Sequence, residues 1–270
     1  MGKISKSRLA KELGVSRGML YYQRKRPKKN EETRRLIELV MMRNPGYGHR
    51  RVAINLGLNH KKAHRVMKLY GLKPARRAKT PSKPADAGKE SKAHPCITTM
   101  LCPIVPDYVW VSDFTFIAFH AKFIYLATVV DLYTKEILGA SIMIRHTSEL
   151  VLRALRNALE KTNQSPTWFH SDQGSEYDSE IVFTELTANN IKISMSPKSS
   201  PWRNGSQESF FGRFKVEFGD PERFTTLPEL MEEIYSYIFY YNYQRIHSKH
   251  KMPPSQVRNT FCRIAVVLPM

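Results

Sequence analysis

YVWVSDFTFIAF, residues 108–119, is followed at once by KFIYLATVVDLYT, residues 122–134, and EILGASIMI, residues 136–144. The three runs are rich in β-branched and aromatic residues and are separated by short breaks. This pattern predicts three consecutive, neighbouring strands of one sheet. An acid, Asp113, interrupts the first predicted strand, and an acid at such a position is a candidate for chemistry.

The chain beyond this meander alternates between helical and strand patterns. SELVLRALRNALEK predicts an amphipathic helix with Ser148 as its cap. The segments that follow are a strand, TWFHSD; a helix, SEIVFTELTANN, capped by Asp178; a strand, IKISMSP; a loop, KSSPWRNG; and a helix, SQESFFGRFKVEF. The order β-β-β-α-β-α-β-α predicts an α/β sheet that starts as a meander and continues with parallel strands. A further helix, capped by Thr226, follows from Leu227.

Three acids stand out by their positions. Asp113 lies in the first strand, Asp172 ends the fourth, and Glu208 lies in the first turn of the helix after the fifth strand. The topology makes the first and fourth strands neighbours, so the three carboxylates would converge and repel each other unless a cation neutralised them. Oxygen ligands select Mg²⁺ or Mn²⁺. Two such ions held by carboxylates would suit phosphoryl transfer.

Other polar residues near these acids have simpler interpretations. Asp131 is predicted to form a turn, and Glu176 lies in the loop after Asp172. His170 is a candidate to line the site, although a histidine beside a strand end is more often structural. Glu217 falls outside the helix face that carries Glu208. Lys215, seven residues after Glu208, shares its face, whereas Phe210, Phe211, Phe214 and Phe218 form the opposite, core face.

The first third of the chain is strongly basic. The protein has 270 residues and a net charge of +19, yet residues 1–95 alone carry 26 Lys and Arg against 6 Asp and Glu. A segregated basic block indicates a module that binds nucleic acid. The alternative is a basic tail that only aids solubility.

Two stretches within the basic block resemble each other at an offset of 43 residues. Ala10, Leu13 and Gly14 align with Ala53, Leu56 and Gly57. Each stretch predicts a helix, a glycine turn and a second helix capped by Ser16 or Asn59, as in a helix-turn-helix. The predicted DNA contacts of these units are Arg17, Tyr21, Tyr22, Arg50, Arg51, Lys61, Lys62, His64 and Arg65. The alternative is a pair of helical hairpins with solvated basic faces.

The cysteines, apolar runs and histidines of the sequence predict the cellular compartment and argue against a zinc module. Three scattered cysteines indicate a reducing cytosol, and no apolar run reaches transmembrane length, so we expect a cytoplasmic protein without membrane contact. His60 and His64 lie one helical turn apart without a Cys-x-x-Cys partner, which argues against a zinc module.

Several motifs together carry a family resemblance. HSDQGSEY, SPKSSPWRNGSQESFFGRFKVE and YYNYQRIHSKHKMPPSQV, with 35 residues between Asp172 and Glu208, resemble the OrfB transposases of IS-three type insertion sequences. That family belongs to the DDE transposase and retroviral-integrase superfamily. The resemblance covers residues 30–258. It implies an RNase H-like, retroviral-integrase-type catalytic core preceded by an all-helical helix-turn-helix region.

The resemblance also implies activity, partners and site residues. The expected activity is binding of the element's terminal inverted repeats, Mg²⁺- or Mn²⁺-dependent strand cleavage with two ions per site, and 3′-OH strand transfer. Asp113, Asp172 and Glu208 would be the catalytic metal ligands. The remaining residues with an expected role at the site or on DNA are Asn204, Lys215, Asn242, Arg245 and His247. Because two DNA ends must be joined, we expect at least a homodimer on double-stranded DNA, in a bacterial cytoplasm and nucleoid-associated when bound.

The predicted organisation has five parts: two helix-turn-helix-like segments, 1–30 and 31–74; a basic linker, 75–103; the catalytic core, 104–222; and a helical extension, 223–270. Two other functions remain open: a DNA-binding regulator whose core is inactive, and a retroviral-type integrase.

Overall fold

The computed structural model describes residues 5–21, 26–76, 96, 103–196 and 205–267, without the side chains of residues 21, 26, 27 and 263–267. Most of the predicted linker, Tyr22 and Asn204 therefore lie outside the described residues. Among the described helices, none is long and apolar enough to cross a membrane.

A five-stranded sheet forms the centre of the molecule. Its strands are β1 (Val109–Phe119), β2 (Lys122–Asp131), β3 (Ile137–Met143), β4 (Trp168–Ser171) and β5 (Lys192–Met195). Their order across the sheet is β3-β2-β1-β4-β5. The first three strands are antiparallel, and β4 and β5 add in parallel to β1. The predicted meander followed by parallel strands is confirmed.

Helices cover both faces of the sheet. The helices of the described core are α5 (Ser148–Thr162), α6 (Glu180–Ala188), α7 (Gly205–Phe218), α8 (Leu227–Tyr243) and α9 (Pro254–Val267). Buried residues of α5 and α6 form one hydrophobic cluster with one face of the sheet, whereas α7 and α8 form another with the opposite face. The predicted core face of α7 is confirmed, since its four phenylalanines are buried. This arrangement is the α/β, RNase H-like fold.

Some of the predicted helix caps and turns are confirmed, and others are wrong. Thr226 caps α8 through a capping box with Glu229. Asp131 forms the predicted turn, because its Oδ1 accepts hydrogen bonds from Thr134 N–H at 2.6 Å and Thr134 O–H at 2.7 Å. The predicted caps Ser148 and Asp178 are wrong: the N-cap residues are Thr147 and Ser179, each one position away.

The N-terminal helices are α1 (Lys6–Glu12), α2 (Arg26–Arg43), α3 (His49–Asn55) and α4 (His60–Leu69). The internal repeat is visible in the turns that follow α1 and α3. Gly14 and Gly57 both have a φ of 62°, a left-handed conformation that favours glycine. Asn59 caps α4, as predicted, by accepting from Lys61 N–H at 2.8 Å.

The two repeats differ after their turns. The second forms α4, a helix of ten residues, whereas the first forms a five-residue 3₁₀-helix, Arg17–Tyr21. The predicted second α-helix of the first unit, with Ser16 as its cap, is therefore wrong in type. Within the described residues, the second unit alone has an α-helix on each side of its glycine turn.

The second helical unit, residues 31–74, packs directly on α8 and on the segment that follows it. Ile246, which follows α8, joins the hydrophobic cluster of α2, α3 and α4. The Tyr47 hydroxyl accepts from Ile246 N–H at 2.6 Å, and the Tyr240 hydroxyl donates to Asn44 Oδ1 at 2.6 Å. Polar and apolar contacts thus join this unit to α8 and the segment after it, in addition to the covalent connection through the linker.

Candidate active site

Strand pairing brings the first two acids together. Val111 of β1 pairs with His170 of β4 in a parallel ladder. Extending the same register by two residues sets Asp113 opposite Asp172, on the same face of the sheet. Because neighbouring strands lie about 4.8 Å apart, this register would bring the two carboxylates close together, in agreement with the effect of the Asp172 charge on the pKa of Asp113.

The third acid approaches from the helix above that face. Asp113 and Glu208 line one cavity of about 560 Å³, together with Gly212 and Lys215. Glu208 lies in the first turn of α7 and is exposed, as predicted. The Lys215 ammonium lies 4.6 Å from the centre of the Phe116 ring. The cavity is therefore lined by two acids and one lysine.

The electrostatics of Asp113 reflect its neighbours. Burial, the negative charge of Asp172 and the smaller effect of Glu208 raise the pKa of Asp113 to about 7, against the hydrogen bond from Phe114 N–H. Desolvation at the end of β4 also raises the pKa of Asp172, although Gly174 N–H donates to its Oδ1 at 3.1 Å. Carboxylates that repel each other in this way suit a cation as their common partner.

The carboxylates do not by themselves form a finished metal cage. Within the described part of the chain, no group of three or more His, Cys, Asp or Glu side chains is arranged to hold an ion. The donor chemistry at this edge of the sheet fits a hard divalent cation, because every candidate ligand is a carboxylate oxygen.

A buried glutamine, which sequence reasoning missed, holds the first turn of α7, where Glu208 lies, against the sheet. Gln207 is fully buried, and its Nε2 donates to the carbonyl oxygens of Val111 at 2.7 Å and Thr128 at 3.2 Å. Thr128 Oγ1 donates to Gln207 Oε1 at 3.2 Å. The signal was present in the sequence, since position 207 falls on the same helical face as Phe210, Phe211 and Phe214.

The competing residues near Asp172 have other partners. His146 Nδ1 lies 2.6 Å from Glu176 Oε1. Although burial opposes it, this hydrogen bond lowers the pKa of Glu176. His170 is fully buried between Ser194 and Ser196 at 2.8 and 2.9 Å, so its structural role is confirmed.

Arg245 is not where a DNA contact would be. Its side chain is 1% exposed and donates to Glu217 at 2.7 and 2.6 Å. Tyr237 adds a third hydrogen bond to Glu217 at 2.9 Å. The predicted DNA contact of Arg245 is therefore wrong, because a buried guanidinium that donates to Glu217 is not accessible to DNA. No local pattern predicts this pair, since its members are 28 positions apart.

The other two residues of the predicted C-terminal motif lie in fully or partly buried positions. Asn242 is buried and bridges to β3, exchanging two hydrogen bonds with Ile137 at 2.9 and 2.8 Å. Burial, and then the positive charge of Arg245, lower the pKa of His247 to about 3.

The predicted DNA contacts of the helical region differ in accessibility. Arg17, Arg50, Lys61 and Arg65 are exposed, and Arg65 donates to Asn30 at 3.2 Å. Lys62 is half-buried, and Arg51 is only 13% exposed. The side chain of Tyr21 and all of Asn204 lie outside the described residues.

Comparison with known proteins finds two family models and a solved structure that are similar to parts of this chain. Residues 105–201 match a family model described as "Integrase core domain", and residues 189–254 match a second model with the same description. The HTLV-2 integrase catalytic core domain, solved in complex with magnesium, is 17% identical, with a TM-score of 0.44 over 57% of this chain and 98% of that one.

Two bacterial relatives match over almost their whole length. The InsK protein of insertion sequence element IS150 from Escherichia coli (strain K12) is 31% identical, over 91% of this chain and 90% of InsK. The transposase of IS904 from Lactococcus lactis subsp. lactis (strain IL1403) is 31% identical, over 83% of this chain and 93% of the transposase.

The mixed sheet, its flanking helices and the matched core define an integrase-core protein of the RNase H-like class. Within that class, the chain belongs to the transposases of bacterial insertion sequences, which have DDE-type cores.

Proposed function

We propose that this transposase binds the terminal inverted repeats of its element, cleaves one strand at each end and uses the freed 3′-OH to attack another strand. The observation that supports this most is the pairing of β1 with β4, which brings Asp113 towards Asp172, together with the cavity that Asp113 shares with Glu208. Burial, the charge of Asp172 and the smaller effect of Glu208 raise the pKa of Asp113 at this place.

In this proposal the three carboxylates hold divalent cations, two Mg²⁺ or Mn²⁺ ions per site. Such ions would activate the attacking oxygen and stabilise the leaving one. Asp113 lies in β1 and Asp172 directly follows β4, which pairs with β1, so both would lie on the sheet side of the site. Glu208 is carried by α7, which Gln207 holds against β1 and β2.

Basic residues would position the DNA. Lys215 lies in the same cavity as Asp113 and Glu208, so its ammonium is suited to a phosphate next to the reacting bond. The exposed residues Arg17, Arg50, Lys61 and Arg65, together with Lys62, Tyr21 and Asn204, are proposed to contact DNA elsewhere. Joining two ends requires two active sites, so we propose at least a dimer on DNA.

The test uses the full chain, Mg²⁺ and duplex DNA carrying the ends of its own element. Asp113→Asn, Asp172→Asn and Glu208→Gln should each abolish cleavage and joining while leaving end binding within about twofold of the unmodified protein, because neutral amides no longer bind the ions.

Asp178→Asn is the matched control. Asp178 is an exposed acid six residues after Asp172, and its loss should leave joining unchanged. If one of the three variants joins DNA like the control, that residue is not a metal ligand. If the unmodified protein binds ends but never cleaves them, the inactive-regulator alternative is correct.

A further inference from the structure

A second cavity lies on the outer side of α7, between the catalytic core and the second helical unit. It measures about 390 Å³, and its lining includes Arg51, Arg76, Arg213 and Glu217. Ser209 and Gly212 line both this cavity and the one that contains Glu208. The two cavities therefore meet across one turn of α7.

The charges of this second cavity are unbalanced. Three arginines line it, whereas Glu217 is its one acidic lining residue among the described residues. Glu217 already accepts two hydrogen bonds from Arg245 and one from Tyr237. The carboxylate is thus committed to other partners, and positive charge remains.

Arg51 lies at the centre of this imbalance. Its Nη1 is buried without a hydrogen-bond partner among the described residues, and Glu217 Oε1 is 4.0 Å away. Burial and the charges of Arg245 and Arg213 lower the pKa of Arg51, and Glu217 opposes this only in part. Such a guanidinium favours a nearby anion.

A third cavity lies on the other side of Arg51 from the second cavity. It measures about 610 Å³, lies beside the turn between α3 and α4, and is also lined by Arg50, His60 and Lys251. Its described lining contains no acid. Arg51 lines the second and third cavities, so a basic track runs from the active-site cavity to the second helical unit.

We propose that the second cavity is a phosphate seat for a DNA strand that passes from the active-site cavity across Gly212 to the turn between α3 and α4. The ligand is a backbone phosphodiester. Arg213 and Arg76, both exposed, bind its oxygens, and Arg51 supplies fixed positive charge beneath them. This inference rests on the proposed function, because it assumes that DNA enters the active-site cavity.

The helix sets the position of the phosphate. Arg213 follows Glu208 by five residues, about 7.5 Å along the axis of α7 at 1.5 Å per residue. A DNA strand advances about 3.4 Å per nucleotide along its duplex. The seat therefore lies about two to three nucleotides from the reacting bond.

The experiment combines a protein change with a DNA change. Full-length protein is titrated with end duplexes in which single phosphates near the reactive 3′ end are replaced by neutral methylphosphonates. We expect one or two replacements, about two to three nucleotides from that end, to weaken binding by roughly tenfold, the effect of one charge-assisted contact.

Arg213→Ala should lower the affinity for unmodified DNA by roughly tenfold and should reduce the salt dependence of binding by about one phosphate contact. The affinity of this variant should not fall further when the methylphosphonate replaces the same phosphate. Arg76→Ala should show the same pattern more weakly. The matched control is Arg153→Ala, since Arg153 is 59% exposed on α5, across the sheet from α7. It should bind every duplex like the unmodified protein.

Two results would overturn the phosphate seat. Either Arg213→Ala binds DNA as tightly as Arg153→Ala, or the losses of affinity caused by Arg213→Ala and by the methylphosphonate multiply when the two changes are combined. If the unmodified protein joins ends normally in either case, the seat alone fails and the proposed function stands. If it neither binds nor joins the ends of its element, both fail.

Discussion

Gln207 offers a direct test of how the fold holds its catalytic helix. The substitution Gln207→Met keeps the length of the side chain and its fit to the core but removes the amide. Three hydrogen bonds are lost: two that Nε2 donates to the carbonyls of Val111 and Thr128, and one that Oε1 accepts from Thr128.

The expected cost follows from these contacts. Each buried hydrogen bond contributes about 1 kcal/mol net, so the free energy of unfolding should fall by about 3 kcal/mol. For a chain of this size, the melting temperature should fall by roughly 6–12 °C. Urea unfolding followed by circular dichroism measures the first quantity, and a thermal scan measures the second.

Activity should fall further than stability alone explains. The amide fastens the first turn of α7 to β1 and β2, so its loss lets Glu208 move relative to Asp113. Strand joining at a temperature where the variant is folded should drop by up to about 100-fold, while binding of end DNA stays within about twofold.

Gln244→Met is the control, because it makes the same chemical change at an exposed position that follows α8. Its unfolding free energy should change by less than about 0.5 kcal/mol. A loss below about 1 kcal/mol for Gln207→Met, or full joining activity in that variant, would refute the role assigned to the amide.

Three further changes test other parts of the structure. Burial lowers the pKa of His247 to about 3, so the unfolded state binds more protons than the folded state between pH 6.5 and 3, and the free energy of unfolding falls as the pH falls. In urea unfolding at pH 5, His247→Gln should remove roughly 2 kcal/mol of this loss. An unchanged pH dependence in the variant would contradict this expectation. Gly46→Ala would place a Cβ against Glu217 Oε1, whereas the open position of Gly48 makes Gly48→Ala its control. Because the first change disturbs the buried pair of Glu217 and Arg245, it should lower the free energy of unfolding by at least about 2 kcal/mol, and the control should not. Equal stabilities of the two variants would argue against the close contact. Lys215→Ala should reduce strand joining at limiting DNA by about tenfold more than non-specific binding, and Lys215→Arg should restore part of the loss; wild-type joining by Lys215→Ala would exclude a phosphate contact.

Much of the fold could be predicted from the sequence because the patterns that determine it involve residues close together along the chain. Apolar residues at helical spacing predicted the buried face of α7, and β-branched runs with short breaks predicted the meander of β1, β2 and β3. The repeated Gly14 and Gly57 predicted two similar turns. The caps failed by one residue at Ser148 and Asp178, because neighbouring polar residues compete equally for the same position.

The sequence by itself determined the order of the elements, the three acids and their placement at a strand interior, a strand end and a first helical turn. Short-range periodicity and the motif resemblance are sufficient for these features. Only the tertiary structure decided which polar residues remain accessible. It buried Arg245 against Glu217 across 28 positions, brought Arg51 beside a helix 166 positions away, and fixed Gln207 to two strands. Such pairings depend on how whole elements pack, and no local pattern encodes a contact between residues that meet only after the chain has folded.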